Sequence, residues 1–195
     1  SLSLERRWPA PNFAALARAL VREDGLPVVF VGAPGEVEYV REIVRAAGEQ
    51  PPGHLVDLSG ELSVGELAAL LARAACVVTN DSGPMHVTAA LGTPLVALFG
   101  PETPVMYGPL GTDAVALWKP PACSPCINVH DNKLATCIHG RPECLVGIDV
   151  DEVLAQTRAT LADSILHPVR AFPRHRMRPA RAHSATGVPR AEAGR

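Results

Sequence analysis

No apolar run in this 195-residue chain approaches the roughly 20 residues needed to cross a bilayer. The opening SLSLERRWP likewise has no apolar stretch resembling a signal peptide. Both absences predict a soluble, cytoplasmic segment. The chain opens at Ser1 without Met, which predicts that it begins inside a longer protein. There is no internal repeat, and so no repeat architecture. A GxGxxG fingerprint is missing too: the Gly-rich turn after the first predicted strand reads GAPG, residues 32 to 35, which disfavours a nicotinamide or flavin dinucleotide. Net charge is small, at −2, but it is unevenly spread. Residues 167 to 195 hold seven Arg against the single Glu192, leaving 11 basic and 19 acidic side chains in residues 1 to 166.

That tail is rich in Pro, Arg and Ala and lacks helical periodicity, so it cannot bury enough apolar area to offset its ordering entropy. The expectation is a disordered terminus. Weak contact with an anionic membrane surface is the sharper alternative, and no nucleic-acid partner is expected.

What the chain does have is apolar content, 47%, distributed for one α/β domain over residues 1 to 166. Phe13, Leu16, Ala17, Leu20 and Val21 form a helical stripe within Asn12 to Glu23, ended by Asp24-Gly25. Strands follow at Pro27 to Val31, Leu55 to Leu58, Cys76 to Thr79, Leu95 to Phe99 and Ala114 to Trp118. Helices are predicted at about Glu36 to Ala47, at Val64 to Ala74 behind the capping pair Ser63 and Glu66, after Gly83, and from Asp149 to about Leu166. Strands linked by helices imply a Rossmann-like, doubly wound parallel sheet with right-handed crossovers. Ligands on such sheets sit beyond the strand C-termini, where the turns after Val31, Thr79 and Phe99 bring together Glu36, Asp81 to Gly83 and Gly100 to Thr103.

The most specific local signal is VVTNDSGPMH, a strand running into a helix start. Helix N-termini carry unpartnered N–H groups and roughly half a positive charge, so a phosphate is a natural guest, although a plain capping turn has the same pattern. Gly83 permits close approach of a ligand, and Pro84 suits a first helical position. Asp81 would repel a phosphate and is expected to cap the helix or to hold hydroxyls or ring nitrogens, which together suggests a sugar nucleotide. His86, on the first turn, reads either as a phosphate donor or as a structural histidine. Glu36 reads either as an acceptor for ribose hydroxyls or as an exposed helix-start residue. Arg6 and Arg7, before Trp8-Pro9, read either as a diphosphate fork or as a basic terminus.

Residues 119 to 147 form a Pro- and Cys-rich stretch without periodicity, expected as a long loop or small insertion. Cys123, Cys126, Cys137 and Cys144 make a C-x2-C-x10-C-x6-C pattern with His130 and His139 inside it, the spacing of a structural zinc site, with reduced thiols or two disulfides as alternatives. Cys76, in an apolar strand, is expected to be a buried hydrophobe.

Taken in order, RRWPAPNFAAL, VVFVGAPGEVEYV and LSGELSVGELAALLARAACVVTNDSGPMHVTAALGTPLVALFGPETP, followed by the Cys-rich loop, resemble the C-terminal half of family 9 glycosyltransferases, the bacterial heptosyltransferases of lipopolysaccharide assembly, over about residues 4 to 166. The resemblance implies the C-terminal domain of a GT-B glycosyltransferase, with the acceptor domain and its general base outside this chain. It implies an ADP-heptose-like donor, a lipopolysaccharide-type acceptor, a cytoplasmic place that is at most peripheral to the inner membrane, and inverting chemistry that needs no metal. It assigns Asp81, Ser82, Gly83 and His86 to the donor's diphosphate and sugar, Glu36 to the ribose and Leu62 to the base. Arg6 falls where the family has a Lys or Arg on the phosphates, with Arg for Lys keeping charge but changing geometry. A sugar-nucleotide epimerase of the same shape and a non-enzymatic module built on the Cys cluster are the alternative readings.

Overall fold

The structure is a computed structural model that describes residues 4–111, 114–127 and 136–166. The expectations for the Arg-rich tail and for His130 lie outside the described residues. The chain opens with a 3-10 turn, Leu4–Arg6, and then alternates: α1 (Ala10–Arg22), β1 (Val28–Phe30), α2 (Val37–Ala47), β2 (Leu55–Asp57), α3 (Val64–Leu71), β3 (Val77–Asn80), α4 (Gly83–Leu91), β4 (Leu95–Phe99), α5 (Pro104–Tyr107), β5 (Ala114–Trp118), α6 (Glu143–Val146) and α7 (Val150–Leu166). None of the described helices is long and apolar enough to cross a membrane.

Every strand pairing is parallel, as the alternation requires. The expected single sheet is divided, however, into a two-stranded ladder, β1 with β2, and a three-stranded ladder in the order β3-β4-β5. The first pair has only three residues per strand, and among the described residues no ladder joins β1 to β3. Side chains make the connection instead, since Val28 of β1 and Val78 of β3 pack on the same core cluster.

β4 lies at the centre of its ladder, and all five of its residues are fully buried. Its two faces follow the period of two that a strand imposes. Val96 and Leu98 join Leu16 and Leu20 of α1 and Val153 and Leu154 of α7, whereas Leu95, Ala97 and Phe99 join Met85 of α4 and Tyr107. A helix layer therefore covers each side, which explains the uninterrupted apolar sequence LVALF.

Local signals position the remaining helices. Ser63 caps α3 as expected: its Oγ accepts from Glu66 N at 3.3 Å, and Glu66 Oε2 accepts from Ser63 N at 2.8 Å. Two four-residue helices were not expected. α5 follows the cap of Thr103, whose Oγ1 accepts from Val105 N at 3.2 Å, and α6 sits inside the Cys-rich stretch. Both are too short to show a hydrophobic period.

Trp8 ties the chain's start to the rest. It is fully buried, and its indole N–H donates to Ile148 O at 3.0 Å. Its backbone N–H donates to Asn80 Oδ1 at 2.9 Å, and its carbonyl accepts from Tyr39 Oη at 2.6 Å. The ring meets Phe13 edge to face, with centroids 5.0 Å apart. Trp8→Phe deletes the indole donor and leaves Ile148 O without it, so urea unfolding should show a loss of about 1–3 kcal/mol.

The capping pair predicts an acid dependence. Hydrogen bonds from Ser63 hold the Glu66 carboxyl below its ordinary value of 4.5. Its contribution is present above that value and fades as pH falls through the lowered one. The stability difference between the unsubstituted chain and Glu66→Gln, followed by urea midpoint, should be present at pH 7 and shrink below about pH 4.

Candidate functional site

The parallel strands place the turns after β1, β2, β3 and β4 on one rim, and the candidate residues gather there. Glu36 closes the 3-10 turn Pro34–Glu36 that follows β1, and Leu62 lies between β2 and α3. Asp81 and Ser82 join β3 to α4, which starts at Gly83. Gly100 to Thr103 join β4 to α5. Across these turns lies the segment from Glu5 to Pro9, locked by Trp8, and its two arginines point to different neighbours.

Arg6 reaches the β3–β4 side of the rim. Its Nη2 lies 2.5 Å from Glu102 Oε2, and its Nη1 lies 3.7 Å from Asp81 Oδ2. Both carboxylates are nearly dry, Glu102 being 1% and Asp81 6% exposed. Arg7 turns towards α2, with Nη2 3.8 Å from Glu36 Oε1 and the guanidinium 4.8 Å from the Tyr39 ring centroid, a cation–π contact. Burial pushes the Tyr39 phenol well above its ordinary value, and the Arg7 charge works against that rise. Tyr39 therefore stays a neutral donor to Trp8 O.

Asp81 does not cap α4, contrary to one of the expectations for it. The N-cap residue is Ser82, which makes no side-chain capping bond. Its Oγ turns back to donate to Asn80 O at 3.1 Å and lies 3.3 Å from Thr79 Oγ1. The first turn of α4 is closed only by its backbone, through Met85 N to Ser82 O at 3.0 Å. A helix start without a capping oxygen keeps its electrostatic demand for a negative group. Asp81 instead faces Arg6 at a distance longer than a hydrogen bond. Two buried atoms here lack hydrogen-bond partners, Arg6 Nε and Asp81 Oδ2, one donor and one acceptor. Buried polar groups in native proteins are nearly always satisfied, so this pair points to a polar guest.

Gly83 sharpens the geometry. Beyond its chain neighbours and its own helix backbone, a Cβ built there would meet no protein atom within 4 Å, so packing does not require glycine at this position. His86, one turn on, is exposed. Glu36 spends one oxygen locally, Oε2 accepting from Ala33 N at 2.9 Å, and offers Oε1 to Arg7. Leu62 is half-buried on the same rim.

Glu102 is the residue that sequence reasoning missed. The sequence pattern brings this turn to the rim but assigns no role to a carboxylate in it. The available signal was a charged residue three positions beyond a wholly apolar strand, in the Gly-Pro turn of FGPETP.

The four clustered cysteines do converge. Cys123, Cys126, Cys137 and Cys144 line one small cavity together with His139 and Glu5, and all are free thiols. Among the described residues, though, no group of three or more His, Cys, Asp or Glu is arranged to hold a metal ion. Cys137 Sγ instead donates to Arg141 O at 2.9 Å. As placed, these thiols form no disulfide. Burial raises the Cys126 thiol above its ordinary value and pushes Cys144 up to about 11. Cys76 is half-buried against the main core, and burial lifts its thiol to about 12, in keeping with an inert apolar role.

Comparison with known proteins gives these features a family. The model of glycosyltransferase family 9 (heptosyltransferase) matches residues 3–136. Lipopolysaccharide heptosyltransferase 2 of Escherichia coli K12 is 33% identical over 156 residues, covering 80% of this chain and 43% of that protein. The enzyme of the same name from Salmonella typhimurium is 40% identical over 109 residues, covering 56% of this chain and 31% of that protein. Among solved structures, the E. coli ADP-heptose lipopolysaccharide heptosyltransferase II superposes with a TM-score of 0.71 at 32% identity, covering 85% of this chain and 45% of that one. A family 9 glycosyltransferase from Veillonella parvula gives a TM-score of 0.67 at 34% identity, over 84% and 44%. The chain thus spans less than half the length of these relatives. With its Rossmann-like parallel architecture and its motifs in the family's order, the chain belongs to glycosyltransferase family 9, the heptosyltransferase family.

Proposed function

We propose that this chain is the donor-binding half of an inverting glycosyltransferase that moves a sugar, heptose by analogy with these relatives, from a nucleoside diphosphate to a lipopolysaccharide-type acceptor. The observation that carries the reading is the uncapped start of α4 beside Arg6, with Gly83 open to approach and with one donor and one acceptor buried without hydrogen-bond partners. The relative superposing with a TM-score of 0.71 is itself an ADP-heptose enzyme, which favours ADP as the nucleotide. Family membership favours transfer over the epimerase and binding-module alternatives.

In this reading the diphosphate lies against the first turn of α4, within reach of the Arg6 guanidinium. Asp81 Oδ2 accepts from a sugar hydroxyl, Glu36 Oε1 from a ribose hydroxyl, and Leu62 covers the base. An acceptor hydroxyl attacks the anomeric carbon, the bond from that carbon to the diphosphate oxygen breaks, and the nucleoside diphosphate leaves with the electron pair. Its charge is met by the helix start and by Arg6, fixed in advance by Trp8. The hydroxyl's proton passes to a base on the acceptor domain, outside this chain. Catalysis on this route asks for no metal, because the guanidinium and the helix dipole supply the positive charge.

Alone, the chain should bind ADP weakly and transfer nothing. Calorimetry with ADP, ADP-heptose, UDP and GDP tests this, and a folded sample that gives no heat with any of them would sink the donor-site reading.

Gly83→Ala separates ligand from fold. Alanine is favoured over glycine in a helix by roughly 0.5–1 kcal/mol, so stability should hold or rise slightly. A methyl group on the phosphate side should weaken ADP by about tenfold, equivalent to roughly 1.4 kcal/mol. Thermal melting and calorimetry on the same preparation check both halves.

A further inference from the structure

Glu102 has no part in the donor chemistry described so far, yet it is the shortest contact of the residue expected to meet the leaving group. Its Oε2 lies 2.5 Å from Arg6 Nη2, and the carboxylate is 1% exposed. Attraction between charges in so dry a place is far stronger than at a surface, because little water screens it. The guanidinium is further flanked by Asp81 at 3.7 Å. A diphosphate entering beside Arg6 therefore meets a cation that two buried carboxylates already share, and it brings new negative charge next to both.

The loop that carries Glu102 is braced from behind. Cys126 N and Ile127 N donate to Pro101 O at 2.9 and 3.1 Å, and Ser124 Oγ donates to Gly100 O at 2.9 Å. Gly100 lies so close to α6 that an added Cβ would stand 2.6 Å from Leu145 Cγ. The carboxylate thus cannot swing away with its backbone when an anion arrives.

We propose that Glu102 is a positioning residue for the leaving group: it holds the Arg6 guanidinium at the donor phosphates and offsets part of its charge, so that the nucleoside diphosphate is bound weakly enough to depart after transfer. This rests on the donor-site reading above. Asp81, on the sugar side, is left to the sugar hydroxyl, and Glu102 sets how hard Arg6 pulls on the phosphates. The effect is confined to ligands that carry phosphate.

The test is calorimetry with ADP and with adenosine on the full chain, unsubstituted and as Glu102→Gln. Glutamine keeps the shape and an oxygen that accepts from Arg6, but it removes the charge. ADP should tighten by about tenfold, since one nearby unit of repulsion is gone, while adenosine stays where it was. A purely structural role would leave ADP unchanged or weaken it, or shift adenosine equally, and any of these overturns the proposal. If the Gln chain fails to fold, Glu102→Asp decides. One methylene shorter, it draws back from Arg6, and ADP should tighten by a few fold; unchanged or weaker binding refutes the role. An unsubstituted chain that does not bind ADP removes the donor-site reading itself, and this inference with it.

Discussion

The site depends on the anchoring of Trp8. Three hydrogen bonds and an edge-on aromatic contact fix this one residue to β3, α2 and the turn before α7. The arginines just before it gain their positions from that anchor. Long guanidinium side chains lose substantial rotamer freedom when held, and here the cost is met by backbone immobilised for reasons of packing. Arg6 is delivered to Asp81 and Glu102, and Arg7 to Glu36 and Tyr39. The Trp8 segment also spans two ladders that share no strand pairing, through Asn80 at the end of β3 and Tyr39 on α2.

Electrostatically the rim is a negotiated arrangement rather than a bare cationic pocket. A helix start attracts anions, Asp81 beside it repels them, and Arg6 lies against both buried carboxylates. Burial matters to this balance. The same three charges on an exposed surface would be screened to within about 1 kcal/mol per pair.

How much of this could be read beforehand varied with the kind of information each feature needs. The capping pair Ser63 and Glu66, the buried strand Leu95–Phe99 and the strand Ala114–Trp118 are local patterns, and the structure holds them where their sequence puts them. The turn Asn80 to Gly83 was recognisable because strand, glycine and proline punctuate it. The contact between Arg6 and Glu102 was not, since it joins residues 96 positions apart through a tryptophan whose partners are scattered along the chain. Four-residue helices at Pro104–Tyr107 and Glu143–Val146 carry too few residues for a period to register. Cysteine spacing suggested convergence on one place, and the four thiols do line one cavity.

The dependence on Trp8 also gives the irregular backbone ahead of α1 a structural part. Among the described residues every strand and every α-helix lies after Pro9, so secondary structure alone would pass the preceding residues over as linker. Cut at Ala10, the chain would keep its layers but lose a filled core position, one tie between its two ladders and both rim arginines. Residues 5 to 9 are therefore part of the packed unit, and any fusion, swap or truncation that treats them as linker would carry over the layers without the two arginines.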